Sequence, residues 1–202
     1  MSEVFPLSSP DAWVMLQPRS AFTTLARQPV RDGIWLAVRR PLLLAFVIGC
    51  TISLLTSAGL TLRLTGGATI YWSFVPLAEI VALGATSLRN SEGVSRTRAI
   101  DLFFTGHGPW CLWLIGLGAI WSFFPPARAF ELTSPLWLYG TTSVVVVWSV
   151  WIDFCFFRVV IGRSRSSVWS GLLLQRLISW SLVIAIFGAP AILPDLAGRL
   201  KL

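Results

Sequence analysis

Charged side chains are scarce in this sequence of 202 residues, and apolar residues take their place. Arg, Lys, Asp and Glu together make up 12% of the chain, whereas they make up about a quarter of a soluble domain. Hydrophobic residues account for 55%, and the mean hydropathy is +0.74. This shortage of charge excludes an ordinary soluble domain and predicts an all-α fold, a polytopic transmembrane helical bundle.

Histidine and cysteine are also rare, which limits the possible chemistry. His107 is the only histidine, and Cys50, Cys111 and Cys155 lie in three separate apolar runs without a CxxC pair. Such a set predicts neither a disulfide framework nor a zinc or iron–sulfur site. The sequence also lacks GxSxG, HExxH, P-loop and Rossmann motifs. We therefore expect a protein that is not an enzyme, with no catalytic residues, no metal site and no cofactor.

Five apolar runs have the length of a transmembrane helix, which needs about 20 residues. They cover approximately residues 41–62, 70–88, 102–124, 136–157 and 168–193. The second run is the shortest and contains both Pro76 and Glu79. Residues 1–40 form a separate N-terminal segment, and residues 41–202 form the predicted five-helix transmembrane domain.

Arginine residues flank these runs unevenly and predict the orientation of the chain. If the N-terminus is cytoplasmic, only Arg63, Arg128, Arg199 and Lys201 lie outside. The arginines inside are Arg19, Arg27, Arg31, Arg39, Arg40, Arg89, Arg96, Arg98, Arg158, Arg163 and Arg165. The positive-inside rule then predicts an N-in, C-out topology. Because arginine in place of lysine is typical of GC-rich bacterial genomes, we expect a bacterial inner (cytoplasmic) membrane.

The first 40 residues are expected to stay on the protein and to form short amphipathic helices at the inner membrane surface. They lack the basic start and apolar run of a signal peptide. Ser9 as N-cap and Pro10 at the first helical position predict one helix. Two further segments have apolar residues on one face: Phe22, Leu25 and Ala26 in the first, and Ile34, Trp35 and Val38 in the second. The alternative is that these turns cap the bundle.

Small residues on the first predicted span mark a helix-packing face. Gly49, Ser53 and Ser57 are spaced by four, and such a row lets another helix approach closely. The face could serve a contact within the bundle or an oligomer, and the contact within the bundle is the commoner case.

Five ionisable residues lie within the predicted spans or, for Asp101, directly at the start of one, where charge is costly and a functional role is the default hypothesis. They are Glu79, Asp101, His107, Asp153 and Arg176. All but Glu79 fall in the inner third of the membrane. Because side chains tilt toward the N-terminus of their helix, we expect Asp153 and Arg176 to approach each other. We predict an Asp153–Arg176 pair, with Asp101 as the competing partner. The pair serves either as a neutralising clasp between helices or as a binding or proton-handling site.

Glu79 and His107 each lie close to a proline that bends a helix. Pro76 frees a backbone carbonyl one turn before it, near Glu79, and Pro109 does the same near His107. For Glu79 the alternatives are a proton-coupled site and a buried, hydrogen-bonded carboxyl group. For His107 they are a structural bend, proton chemistry, and ligation of a pigment or haem.

The stretch MLQPRSAFTTLARQP, residues 15–29, followed by five spans, resembles bacterial members of the Yip family, the Ypt-interacting membrane proteins. The matching positions are Leu16, Pro18, Phe22, Leu25, Ala26 and Pro29. The family's DLYGP-like element is similar to Asp101, Leu102, Gly108 and Pro109, with residues 103–107 between the two halves. The resemblance implies five spans, a cytoplasmic N-terminus and a non-enzymatic role in membrane organisation or partner binding.

The function expected from the sequence is that of a non-enzymatic integral membrane scaffold or accessory subunit. Its expected partners are the lipid bilayer and other membrane proteins or a second copy of the chain. No nucleic-acid partner is expected, because the basic residues behind the net charge of +7 flank the spans. One alternative is a proton- or solute-coupled carrier that uses Glu79, His107, Asp153 and Arg176. Another is a pigment- or haem-associated subunit of a redox or photosynthetic complex, with His107 near the pigment.

Overall fold

The computed structural model describes residues 9–29, 33–86 and 94–199, with side chains throughout except at residue 166 and residues 187–199. Within these ranges every regular element is an α-helix. In chain order the helices are α1 (Pro10–Leu16), α2 (Pro18–Arg27), α3 (Ile34–Ser57), α4 (Leu62–Trp72), α5 (Phe74–Thr86), α6 (Arg96–Thr105), α7 (Gly108–Phe123), α8 (Pro126–Leu132), α9 (Pro135–Val159) and α10 (Arg165–Arg199). The predicted all-α fold is confirmed for the described residues.

Four helical stretches are long and apolar enough to cross a membrane. They are α3, α4 together with α5 as Leu62–Thr86, α9, and Ser167–Ile186 within α10. The chain is therefore an integral membrane protein with four candidate spans. The apolar helix α7 is shorter, with 16 residues. Its length of about 24 Å is less than the hydrocarbon core of about 30 Å.

The first two spans begin earlier than the sequence indicated. The first begins at Ile34 rather than Pro41, so the predicted surface helix containing Trp35 is the opening of α3. Pro41 lies inside that helix, where it removes one backbone hydrogen bond without ending the helix. The second begins at Leu62 rather than at residue 70. The predicted end of the second span, residues 87–88, lies outside the described residues. So do three residues used to predict the orientation: Arg31, Arg89 and Lys201.

The predicted third span, residues 102–124, is not a continuous helix. α6 ends at Thr105 and α7 begins at Gly108. Pro109 has no N–H to donate, and its ring crowds the carbonyl of Thr105 four positions earlier. The N–H groups of the two intervening residues donate three positions back instead of four, at 3.0 and 3.2 Å. The break places the His107 side chain in the middle of the protein.

The N-terminal helices pack into the bundle. α1 begins at Pro10, as predicted. Phe22 of α2 is fully buried, and its ring lies 5.7 Å from that of Phe156 on α9 in an edge-to-face contact. Trp148 of α9 donates its indole N–H to the Met15 carbonyl at 2.9 Å. α1 and α2 therefore pack against α9.

The small residues of α3 face the turn into α4 and α4 itself. A Cβ atom added at Gly49 would come within 2.7 Å of the Thr65 carbonyl oxygen. Ser53 and Ser57 both donate to the carbonyl of Gly59 at 2.9 Å. The Gly49, Ser53 and Ser57 face therefore makes a close contact within the chain.

Arginine side chains gather at one end of the bundle, called the basic end below. Arg39 and Arg40 near the start of α3 meet Arg98 of α6 at the Asp101 carboxylate. At the turn between α9 and α10, Arg163 donates to a backbone carbonyl at the end of α5. An edge-to-face contact between Phe103 of α6 and Phe156 in the last turns of α9 connects the helices that lead to these two sites. The basic end thus contains the starts of α3 and α6, the end of α5 and the α9–α10 turn.

Candidate functional site

Four ionisable side chains, Glu79, His107, Asp153 and Arg176, converge where α5, the α6–α7 break, α9 and α10 meet. His107 Nε2 lies 2.8 Å from Glu79 Oε2. Arg176 donates from Nη1 to Glu79 Oε1 at 3.1 Å and from Nη2 to Asp153 Oδ2. The structure thus contains the predicted contact between Asp153 and Arg176. It also brings Glu79 and His107 into contact, which the sequence did not predict. We call this group the ionic cluster.

The ionic cluster lies well inside the helices. Glu79 and Asp153 lie about two helical turns, roughly 10 Å, before the ends of α5 and α9. Glu79, His107 and Asp153 are buried, and the Arg176 side chain is 23% exposed. Charge at this depth is costly unless it is paired. The hydrogen bonds within the cluster provide that pairing.

The imidazole of His107 is held on its faces and at both nitrogens. Phe104 stacks on the ring at 4.8 Å between centroids, and Phe103 approaches edge-on at 5.1 Å. Nδ1 lies 3.4 Å from the Phe103 carbonyl oxygen, while Nε2 faces Glu79. Because a carbonyl only accepts, a hydrogen bond there requires a hydrogen on Nδ1. A pigment metal could bind this ring only by displacing one of the two partners.

The charges of the ionic cluster balance when it holds one exchangeable proton. Asp153 and Arg176 cancel each other, which leaves the Glu79 carboxylate. That charge is cancelled by a proton, either on His107 Nε2 or on the carboxyl group itself. Loss of the proton would leave one net negative charge in surroundings of low dielectric constant, which is costly. The cluster is therefore suited to holding one proton at the contact between Glu79 and His107.

A cavity of about 330 Å³ ends on the ionic cluster. This volume lies within the range of roughly 300–1,000 Å³ that is typical of small-molecule sites. Its lining extends along α3 from Leu44 to Leu55, along the α7 side from His107 to Leu117, and along α10 from Arg176 to Val183. All three helices run away from the basic end. Glu79, His107 and Arg176 of the cluster thus form the polar floor of the cavity, and largely apolar walls extend toward the opposite end of the bundle.

Asp101 does not compete for Arg176, because it belongs to a separate group at the basic end. Its carboxylate is fully buried. It accepts from Arg39 Nε at 3.0 Å, from Arg98 Nη1 at 2.9 Å, and from Arg40 Nη1. The structure thus divides the five ionisable residues into a cluster of four and a single acid with its own arginine partners.

The arginines around Asp101 also fasten the N-terminal helices. Arg98 Nη2 donates to the Leu25 carbonyl at 2.9 Å, and Arg40 Nε donates to Asp11 at 3.0 Å. The group therefore holds α1 and α2 to α3 and α6.

The sequence pattern revealed neither the partners of Asp101 nor the walls of the cavity. Arg39, Arg40 and Arg98 indicated only the orientation of the chain. The spacing of Arg98 and Asp101, three positions apart on a helix, was a usable signal for a pair. The tryptophans of the cavity walls had no comparable signal, because apolar side chains face both lipid and cavity in a membrane helix.

Among residues 9–29, 33–86 and 94–199, no group of three His, Cys, Asp or Glu side chains is placed to hold a metal ion. Cys50, Cys111 and Cys155 are free thiols. No protein-family model, curated protein or solved structure matches this chain. The resemblance to the Yip family thus gains no support from these comparisons, and the coarser description as a multi-span helical membrane protein stands.

Proposed function

We propose that this chain is a proton-coupled membrane carrier that binds a small solute in the cavity above the ionic cluster. The observation that supports this most directly is that the cavity ends on the contact between Glu79 and His107. A solute in the cavity would lie next to the group that holds the exchangeable proton. Binding of the solute and binding of the proton would then influence each other, as coupled transport requires. Such a role involves no catalysis of a chemical reaction.

A five-crossing topology with a cytoplasmic N-terminus is part of this proposal. α6 and α7 together would form the third crossing, because α7 alone is short for the hydrocarbon core. Along the chain, the elements that meet at the basic end are alternately the start of one crossing and the end of the next, as a five-crossing topology requires. The positive-inside rule would place that end in the cytoplasm. The arginine-rich composition favours a bacterial cytoplasmic membrane.

The other functions expected from the sequence have weaker support. The Gly49, Ser53 and Ser57 face, on which a scaffold would bind partners, is occupied by a contact within the chain. The partner-binding role implied by the Yip resemblance has no further observation behind it. A pigment-associated subunit would need a ring nitrogen of His107, and both nitrogens already face oxygen atoms of the protein.

A vesicle assay that compares several classes of solute tests the carrier function. The full chain is reconstituted into liposomes that enclose a pH-sensitive dye, and small cationic, anionic, zwitterionic and neutral solutes are added outside one by one. We expect one class to change the internal pH in the wild type and to have no such effect with Glu79→Gln. Glu131→Gln, which alters an exposed carboxylate on α8, should behave as the wild type.

Two outcomes would overturn the carrier proposal. One is a monodisperse, folded wild type that moves protons with no solute class. The other is a proton movement that Glu79→Gln leaves unchanged, since the exchangeable proton would then lie elsewhere.

A further inference from the structure

We propose that the solute is a monocation with an apolar body, such as a quaternary ammonium compound, which replaces the proton of the ionic cluster one for one. This inference rests on the proposed carrier function and specifies its substrate class. It follows from the charges at the cavity floor, the pairing of Arg176, and the aromatic walls.

The charged groups around the floor favour a cation once the proton has left. α5 contributes Glu79, the α6–α7 break His107, α9 Asp153 and α10 Arg176. The lining residues from α3 and α4 are uncharged. With a neutral imidazole, two carboxylates face one guanidinium, so the cluster has one net negative charge. A monocation restores neutrality, whereas an anion would double the imbalance.

Arg176 is poorly placed to attract an anion. Its two terminal nitrogens already donate to different carboxylates, Nη1 to Glu79 and Nη2 to Asp153. An anionic solute at either nitrogen would lie beside a buried carboxylate of the same charge, and this repulsion costs free energy. A cation can approach Glu79 without breaking either bond.

The walls of the cavity suit an apolar cation. Four tryptophans from three helices line it, Trp72, Trp110, Trp113 and Trp180, beside aliphatic side chains of α3. Indole faces attract cations, and quaternary ammonium groups are recognised in this way. Trp113 donates its N–H to Thr141 on α9 at 3.0 Å, so the polar edge of this ring has a partner outside the cavity lining. A small hydrophilic ion would gain little from such walls.

Binding and proton release can be measured together on the full chain in lipid nanodiscs. The probe is benzyltrimethylammonium, and phenylmethanesulfonate serves as an aromatic ion of similar size and opposite charge. Calorimetry in buffers of different ionisation enthalpy gives the number of protons released. We expect about one proton released per cation bound. The affinity should rise by about tenfold per pH unit while the cluster is protonated, and the sulfonate should bind far more weakly.

Variants separate the floor from the walls. Glu79→Gln should abolish proton release and weaken cation binding, while Glu131→Gln should change neither. Trp110→Leu should weaken binding by about tenfold through loss of an indole face, with the proton release per bound cation unchanged. Trp121→Leu on the same helix is the matched control, because Trp121 is absent from the cavity lining.

The inference and the carrier function can fail separately. Binding of the sulfonate at least as tight as that of the cation, or cation binding without proton release, would overturn the inference. If the vesicle assay meanwhile shows protons moving with an anionic or neutral solute, the carrier function stands with another substrate class. If no solute moves protons, both proposals are wrong.

Discussion

His107 Nε2 lies 2.8 Å from Glu79 Oε2, and this contact joins the α6–α7 break to α5. The same carboxylate accepts from Arg176 of α10, which also binds Asp153 of α9. One buried carboxylate therefore connects elements that are far apart along the chain. A change in the protonation of Glu79 would alter the contacts between all of these elements, because each contact depends on the charge of this carboxylate.

The protonation state of His107 should depend on Glu79. With Glu79→Gln, Asp153 and Arg176 balance each other, so an added charge on the imidazole would be uncompensated. We expect the ring of this variant to stay neutral over the pH range in which the wild-type signals change with pH. The measurement is ¹⁵N NMR of histidine-labelled protein, in which the single histidine needs no assignment. Charged-ring signals that persist in the variant would contradict the charge balance.

Removal of the Asp101 charge should loosen the N-terminal helices. Asp101→Asn leaves Arg39, Arg40 and Arg98 close together without the carboxylate that they share. Breaking a buried ion pair from one side costs about 3–5 kcal/mol, so we expect a loss of that order in the free energy of unfolding. Unfolding in mixed detergent micelles measures it, and limited proteolysis reports release of α1 and α2. Glu131→Gln is the control, and equal stability of the two variants would contradict the prediction.

Hydropathy predicted most of the helices in this chain, because apolar length is a direct requirement of the bilayer. It misplaced the second span, since the opening LRLTGGAT is rich in small and hydroxyl residues. The structure begins that helix at Leu62, which places Glu79 farther from the start of the helix than the predicted span did. That shift explains why the sequence placed Glu79 at a different depth from His107 and Arg176.

The contact between Asp153 and Arg176 was within reach of sequence reasoning, because depth and helix direction are both set by the span pattern. The contact of Asp101 with Arg98 was also within reach, because the two lie three positions apart on α6. Its contacts with Arg39 and Arg40 were not, since they depend on how α3 and α6 pack. The α6–α7 break had a local signal in Pro109, but its consequence, a buried His107 facing α5, is a tertiary effect.

α2 should contribute to stability as a core element. Phe22 is fully buried and contacts Phe156, so Phe22→Ala should lower the free energy of unfolding by about 3–5 kcal/mol. Thr24→Ala, at an exposed position of the same helix, should have little effect. Detergent-induced unfolding of both variants is the measurement. A small loss for Phe22→Ala would mean that α2 packs on the membrane surface instead of the bundle.

Two kinds of glycine in the α3–α4 hairpin should respond oppositely to alanine. Gly49→Ala puts a methyl group 2.7 Å from the Thr65 carbonyl, so it should separate α3 from α4 and destabilise the monomer. Gly67→Ala enters open space on α4 and should stabilise the helix by up to about 1 kcal/mol. Thermal unfolding and size-exclusion chromatography distinguish the outcomes. A stable Gly49→Ala monomer that has lost an oligomer would show that this face binds a second copy.

Gln175 is a buried amide whose removal should stabilise the protein. It is fully buried on α10, and in the part of the chain that the structure describes neither its nitrogen nor its oxygen has a hydrogen-bond partner. A buried polar group without a partner costs about 1–3 kcal/mol, so Gln175→Met, of similar shape, should raise the free energy of unfolding by this order. Gln28→Met, at an exposed position, is the control in the same detergent titration. A loss of stability in Gln175→Met would contradict the prediction. It would mean that water or a bound solute forms hydrogen bonds with the amide, which the methionine thioether cannot replace.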